Sequence, residues 1–205
     1  MGLYADHVVP RVSNVACNTP ATRRRREEVC AGLHGTVVEL GFGSGLNVPH
    51  YPPAVTQVEA VEPSTTAWRL AARRLQDSPV PVRRSGLDGQ RLPYEDESAD
   101  TALSTWTLCT IPDAVAAIRE VRRVLRPGGS LHFVEHGAAP DERVLRWQHR
   151  LTPVQRRVAG GCHLDRDIAD LLAAGGFRTT DLEVFYEEGA PKVLGATSLG
   201  VAVAA

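Results

Sequence analysis

The chain has 205 residues, of which 43% are hydrophobic and 23% charged, with a formal net charge of −1. That size supports one α/β domain with its own core, and the near-neutral balance excludes a global electrostatic attraction to nucleic acid or anionic lipid. No run approaches the about 18 apolar residues of a membrane span and the opening residues lack the basic-then-apolar order of a secretory leader, so a cytoplasmic chain without an integral membrane segment is expected.

Residues 1–35 read as an N-terminal helical region. In it, Thr19-Pro20 opens a helix carrying Arg23-Arg24-Arg25-Arg26 and then Glu27-Glu28, a run read as a solvated helix face. Thr36 to Leu40 forms the first strand, and the segment after Gly45 the first crossover helix, interrupted near Pro49-His50-Tyr51-Pro52-Pro53. Gln57 to Val61 is the second strand, Pro63 to Leu75 a helix, Val80 to Arg83 a short third strand and Asp100 to Ser104 the fourth. Val115, Ile118, Val121, Val124 and Leu125 fall at helical spacing over Ala114 to Leu125, and Pro127-Gly128-Gly129 stops that helix before a fifth strand at Ser130 to Glu135. A helix near Arg166 to Ala174 ends at Gly175-Gly176. Strands at Thr180 to Tyr186 and Val193 to Val203 follow, joined by Glu188-Gly189-Ala190-Pro191.

Strand and helix alternate through the first two thirds and not in the last. The expected fold is α/β, a Rossmann-like, doubly wound, mostly parallel sheet with an antiparallel C-terminal strand pair. The whole of 1–205 is read as a single domain, with a cofactor-binding core at 36–135 and a substrate-side insertion plus C-terminal strands at 136–205.

The first strand runs into Gly41-Phe42-Gly43-Ser44-Gly45, with Glu39 two residues before the first glycine. Glycines belong where the backbone leaves a strand sharply and meets a ligand at contact distance. A dinucleotide loop neutralises a pyrophosphate with backbone N–H groups, and a carboxylate at Glu39 would repel that phosphate. It suits a cofactor with an ammonium group, and with the Gly-x-Gly-x-Gly spacing this points to S-adenosylmethionine instead of a nicotinamide dinucleotide. Glu62, at the end of the second strand, is placed to accept both ribose hydroxyls, and Asp88 in Ser85-Gly86-Leu87-Asp88-Gly89 to accept from an adenine amino group, or else to serve the turn.

The order Glu39-x-Gly41-x-Gly43-x-Gly45, Glu62, Asp88, Asp100 and Leu125-Arg126-Pro127-Gly128-Gly129 resembles the class I S-adenosylmethionine-dependent methyltransferases over about residues 36 to 135. Ser104-Thr105-Trp106-Thr107-Leu108-Cys109, Ile118-Arg119-Glu120-Val121, Phe133-Val134-Glu135-His136 and Gly161-Cys162-His163-Leu164-Asp165-Arg166 further resemble the methyltransferase-like group that includes thiol S-methyltransferases. Bacterial phospholipid and quinone methyltransferases are a weaker likeness. The resemblance implies that Glu39 and the glycine loop hold the methionine end, Glu62 the ribose, and Asp88 with Gly89 the adenine, while Thr105 and Leu108 flank the cofactor. Membrane-bound thiol methyltransferases of this kind carry an apolar N-terminal anchor. Met1-Gly2-Leu3-Tyr4-Ala5-Asp6-His7 carries none, so membrane residence is not expected to transfer.

Methyl transfer asks for a nucleophile held in line with the sulfonium–methyl bond, with a general base only where the acceptor arrives protonated. His136 at the end of the fifth strand is the candidate base or substrate ligand, against a purely structural strand-end histidine. Tyr51 and Trp106 are candidates for an apolar substrate pocket or for core packing, and His163 for a loop covering the site. Asp165 is read as the N-cap of the helix that follows it. The cysteines at 17, 30, 109 and 162 show no zinc-ligand spacing, so no metal is expected and Cys109 and Cys162 are assigned to no chemistry. The reading is methyl transfer to a small-molecule acceptor, thiol before amine or hydroxyl. A non-catalytic S-adenosylmethionine binder stays open. A nicotinamide-dependent reductase is disfavoured by Glu39 and the missing Tyr-x-x-x-Lys pair. Nucleic-acid methylation is disfavoured by the missing Asp-Pro-Pro-Tyr, Asn-Pro-Pro-Tyr and Pro-Cys motifs.

Overall fold

The computed structural model describes residues 4–205, so the first three residues of the expected N-terminal helical region lie outside it. That region opens with a π-helical turn Tyr4–Val8, continues as helix α1 (Val9–Ala16), and turns into α2 (Pro20–Cys30). The start of α2 is set by a reciprocal cap. Thr19 Oγ1 accepts from the Thr22 N–H at 3.2 Å and Thr22 Oγ1 from the Thr19 N–H at 3.0 Å, with Pro20 in the first turn, where its missing N–H costs nothing.

Strands β1 (Gly35–Leu40), β2 (Val55–Val61), β3 (Val82–Gly86), β4 (Ala99–Thr105), β5 (Leu125–His136), β6 (Phe177–Tyr186) and β7 (Ala196–Ala204) make one sheet in the order β3-β2-β1-β4-β5-β7-β6. The first five are parallel, and β7 is antiparallel to both β5 and β6. The sheet is therefore mixed, mostly parallel with an antiparallel C-terminal pair. β1 is buried throughout Val37–Leu40, as a central parallel strand covered on both faces must be. One face carries Leu40, Leu131 and Phe133 against Ile118 and Val121 of α5 (Ala114–Val124). The other carries Val37, Val58 and Leu103 against Val29 and Cys30 of α2. Strand order reverses between β1 and β4, which opens a crevice at the carboxyl ends of the strands.

Several elements depart from the sequence expectation. No crossover helix follows Gly45. One 3₁₀ turn at Val48–His50 is all that three prolines within five residues permit, and α2 covers that part of the sheet instead. The helix expected over Pro63 to Leu75 is two short ones, α3 (Thr65–Leu70), capped by Ser64, and α4 (Ala72–Gln76). β3 starts two residues later than expected. Pro81 lacks the N–H a strand would use, although its carbonyl accepts from Val58. The pairing jumps from Ala99↔Leu125 to Thr101↔Ser130, so Arg126–Gly129 bulge out where Pro127-Gly128-Gly129 was expected to interrupt. A 17-residue helix, α6 (Glu142–Val158), was not anticipated. It is followed by α7 (Ile168–Ala174) and, before β7, a short α8 (Lys192–Gly195). Asp165 does not cap α7: Asp167 does, accepting from the Asp170 N–H at 3.0 Å, while Asp165 accepts from His149.

Candidate active site

The glycine loop leaves β1 at the crevice with Gly41, Gly43 and Gly45 at φ of 63°, 60° and 73°. A Cβ at Gly41 would land inside the Thr107 side chain, whereas one at Gly43 would meet nothing nearer than the Gly41 carbonyl oxygen at 3.7 Å. Gly45 is packed between Phe42 and Ala71. Glu62 braces the loop from β2: its carboxylate accepts from the Gly43 N–H at 2.7 Å and the Ser64 N–H at 2.6 Å. Burial pushes its carboxyl up, and those two N–H groups work against the rise.

Beneath the loop, Glu39 is fully buried, accepting from Asn47 Nδ2 at 2.8 Å and from the Tyr51 hydroxyl. Burial pushes its carboxyl up to about 7 despite those donors. Asn47 also accepts from Arg26 at 2.6 Å, and Arg26 donates to Thr105 Oγ1 at 2.9 Å and lies over the Trp106 ring at 4.7 Å. The arginine run is thus not uniformly solvated. Arg23 and Arg24 are exposed, but Arg26 points inward with 5% exposure and its Nε has no hydrogen-bond partner among the described residues.

The loop after β4 is organised by Glu135 of β5, buried between the strand ends. It accepts from Ser104 Oγ at 2.6 Å, the Thr107 N–H at 3.0 Å and the Cys109 N–H at 3.1 Å. Within this loop Trp106 is held at φ 51°, a left-handed conformation that costs an ordinary residue about 1–3 kcal/mol. Its N–H donates to Val134 at 2.7 Å.

Three cavities surround that tryptophan. One of about 150 Å³ is lined by Arg26, Gly41, Gly43 and Thr105. A second of about 500 Å³ runs along Gly41, Glu62, Asp88, Gly89 and Ile111. A third of about 210 Å³ is walled by Cys109, His136, Gln155 and Cys162. Trp106 and Ser13 of α1 line all three. His136 also borders a surface groove of about 630 Å³ with Trp106, Arg25 and Glu187.

Not every residue expected at the site reaches it. Glu39 and Tyr51 lie behind the cavity walls, paired with each other. Leu108 is fully buried in the core, and Thr107 is the residue facing the crevice in its place. His163 borders none of these cavities, and its N–H donates to the Cys109 carbonyl at 2.8 Å. Asp88 spends one carboxylate oxygen on the Gln90 N–H, the turn role, while still lining the larger cavity.

A family model described as a methyltransferase domain matches residues 38–133. A thiol S-methyltransferase of Homo sapiens is 35% identical over 188 residues, covering 82% of this chain and 75% of its own. The chain belongs to the class I S-adenosylmethionine-dependent methyltransferases. Another thiol S-methyltransferase, from Rattus norvegicus, is 30% identical over 72% of this chain, which spans 62% of that relative's length. The fold agrees with a solved geranyl diphosphate methyltransferase in complex with S-adenosylmethionine, at a TM-score of 0.67 and 14% identity over 90% of this chain and 85% of that one.

Two features of this methyltransferase fit the family's cofactor on the structure's own terms. The space over Gly43 is open where any side chain would intrude, and the orphaned Arg26 Nε is a buried donor that a carboxylate would satisfy. The sequence did not single out Arg26, Asn47, Thr107, Ser13 or the organising role of Glu135. Nor did it bring Cys109 and Cys162 to His136, since their neighbourhood depends on how β4, β5 and the segment before α7 meet. Their hydrogen bond pulls the Cys162 thiol down, and the same bond together with burial pushes the Cys109 thiol up.

Proposed function

We propose that the protein transfers the methyl group of S-adenosylmethionine to a small apolar acceptor, a thiol before an amine or hydroxyl, by direct in-line displacement. The observation that carries this is the shared wall. Trp106 and Ser13 border the glycine-loop cavity, the Glu62–Asp88 cavity and the His136 cavity, so the cofactor side and the acceptor side meet at one indole. The cofactor supplies an electrophilic methyl on a sulfonium. Gly41 and Gly43 present bare backbone to it, Arg26 takes the carboxylate, Glu62 the ribose hydroxyls, and Asp88 with Gly89 the adenine. Glu39, Tyr51 and Thr105 act one step back, fixing Asn47 and through it Arg26. Gly45 and Leu108 serve packing, and His163 clips the Cys109 loop.

Tyr4, Val12 and Val158 border the His136 cavity while partly exposed, which favours an apolar acceptor. The similarity to thiol S-methyltransferases favours sulfur. Holding the acceptor in line contributes on the order of 7–11 kcal/mol, the main task left to the protein. Among the described residues no helix is long and apolar enough to cross a membrane. Four free cysteines accord with a reducing, cytoplasmic setting, and one continuous sheet with a single domain.

Parallel calorimetric titrations with S-adenosylmethionine, S-adenosylhomocysteine and NADH, followed by turnover with alkyl thiols, amines and phenols, test the reading. Binding of the two sulfur cofactors alone, and S-adenosylhomocysteine release fastest with thiols, are expected. NADH binding, or cofactor binding without turnover on any acceptor, would overturn it.

A further inference from the structure

Two thiols and an imidazole stand together at the acceptor end of the crevice. Cys109 Sγ lies 3.8 Å from Cys162 Sγ, and His136 Nδ1 lies 3.7 Å from Cys162 Sγ and 3.9 Å from Cys109 Sγ. These separations match one triangular face of a zinc tetrahedron. With zinc–sulfur bonds of about 2.3 Å and a zinc–nitrogen bond of about 2.05 Å, ligand atoms at the tetrahedral angle stand about 3.8 Å apart for two sulfurs and about 3.6 Å for sulfur and nitrogen. A disulfide brings sulfurs to about 2 Å and gives no reason for an imidazole nitrogen held against both.

We propose that Cys109, His136 and Cys162 form a zinc site with three protein ligands, and that its open fourth position takes the sulfur of the acceptor thiol. The second half of the proposal rests on the methyl-transfer reading, and the first half does not.

The three ligands come from three separate elements, the loop after β4, the end of β5 and the segment between α6 and α7. The two cysteine segments are held by bonds outside the cluster, and His136 sits in the β5–β7 ladder opposite Thr197. The Cys109 N–H donates to Glu135 at 3.1 Å, and its carbonyl accepts the His163 N–H at 2.8 Å, which clips the two cysteine segments together. Arg166 donates to the carbonyls of Leu108 and Ile111, pinning the same loop. Outer bonds of this kind orient metal ligands before the metal arrives. Two thiolates cancel the charge of a zinc dication, so the loaded site adds no net charge to a buried wall, and a sulfur-rich, nitrogen-containing set suits zinc. All three ligand residues border the 210 Å³ cavity, whose Trp106 wall also bounds the glycine-loop cavity, so the open position faces the space where an acceptor would lie.

The chemistry balances without an added oxidant or reductant. The acceptor S–H bond breaks as its sulfur joins the zinc, and the proton leaves to solvent. A sulfur lone pair then forms the new carbon–sulfur bond. The old methyl–sulfonium bond breaks, its electron pair staying on the departing S-adenosylhomocysteine sulfur. The thioether product has no anionic sulfur and dissociates. His136 then acts on the acceptor through the metal instead of taking the proton itself.

The test uses the whole chain, stripped with a chelator under reducing conditions and titrated with Co²⁺ and Zn²⁺. One equivalent of Co²⁺ should bind with thiolate-to-cobalt charge-transfer and tetrahedral d–d bands, Zn²⁺ should displace it, and ethanethiol should shift the bands. Cys109→Ser and Cys162→Ser should each weaken Co²⁺ binding at least a hundredfold. A measurement on the unmodified protein guards against misfolded variants: zinc should shield Cys109 and Cys162, and not Cys17 or Cys30, from alkylation mapped by mass spectrometry. Absent charge-transfer bands, unshielded thiols, or a Cys109–Cys162 disulfide forming in the presence of metal would each overturn the site. Full-rate thiol methylation by the metal-free protein would overturn the role of the fourth position and leave methyl transfer standing. A zinc-loaded protein that binds no S-adenosylmethionine would keep the site and remove the methyl-transfer reading.

Discussion

Alanine at Gly43 tests whether the open space above the glycine loop belongs to the cofactor. The added Cβ meets no atom nearer than the Gly41 carbonyl oxygen at 3.7 Å, an ordinary contact, so the folded chain loses only the preference of alanine against φ 60°. That term is about 1–2 kcal/mol, a fall in melting temperature of about 3–6 °C for a chain of this size. The methyl group projects into the cavity bordered by Arg26 and Thr105, so S-adenosylhomocysteine affinity should drop at least tenfold, about 1.4 kcal/mol. Gly41→Ala is the contrasting case. Its Cβ lands 2.8 Å from the Thr107 Cβ and closer to both branches of that side chain, whose backbone Glu135 holds in place. Overpacking adds about 1–3 kcal/mol to the conformational term, and Gly41→Ala with Thr107→Gly should recover that part. Calorimetric titration beside a thermal melt reads both quantities. Gly43→Ala protein binding S-adenosylhomocysteine as tightly as the parent would refute the assignment of that space.

Glu62→Gln keeps the shape but replaces one acceptor oxygen with an NH₂ that faces a backbone N–H. Cofactor affinity should fall at least tenfold, about 1.4 kcal/mol, and unchanged binding would remove Glu62 from the site. Glu135→Gln puts a donor against the Thr107 or Cys109 N–H and should cost about 2–3 kcal/mol, or about 5–10 °C of melting temperature. A melt within error of the parent would show that this loop is ordered by other contacts. Glu39 has a folded-state value of about 7, above its ordinary 4.5. Its contribution to stability is therefore complete below the unfolded value and is lost as pH rises through about 7, by up to about 3 kcal/mol. Urea midpoints should fall between about pH 5 and about pH 8 by more in the parent than in Glu39→Gln; parallel pH dependences would contradict the burial argument.

The parts of this molecule legible in its sequence are those governed by local rules. Short apolar runs marked the central strands, and turn residues their ends. The glycine loop and Glu62 followed from what a strand-to-loop turn has to present. The C-terminal antiparallel pair showed in the loss of strand–helix alternation. What stayed hidden depends on tertiary placement. Helix α6 carries Val144, Trp147, Leu151, Val154 and Val158 at helical spacing, but Pro153 in its interior reads as a helix stop, and Trp147, Val154 and Val158 stay exposed where a core-facing stripe would be buried. Arg26 looks like its three neighbours in sequence, and only the packing of α2 beside β5 turns it inward. Tyr51 and Leu108 were expected at a cavity because of where they fall in the chain, but direction out of a turn is fixed by neighbours: Glu39 claims the Tyr51 hydroxyl, and the α5 side of the sheet claims Leu108. Asp165 and Asp167 are both plausible caps by type, and the backbone alone chooses between them.

The position of β7 constrains how the chain reaches its final form. β7 is made after β6 yet lies between β6 and β5, bonded to both. During synthesis β6 therefore emerges before the strand it needs, while β5, which carries Glu135 and His136, presents an open edge. Among the described residues β6 pairs with no strand but β7, so the two can close as an antiparallel hairpin, and the last sheet contacts form when the Ala196–Ala204 side of that hairpin docks on β5, a pairing of long sequence separation and so a slow one. Until then the crevice has one wall without support, and the exposed edges invite intermolecular strand pairing. Ordering of the site and protection from aggregation thus depend on the same late step, and chaperone demand should track the time the chain spends before it.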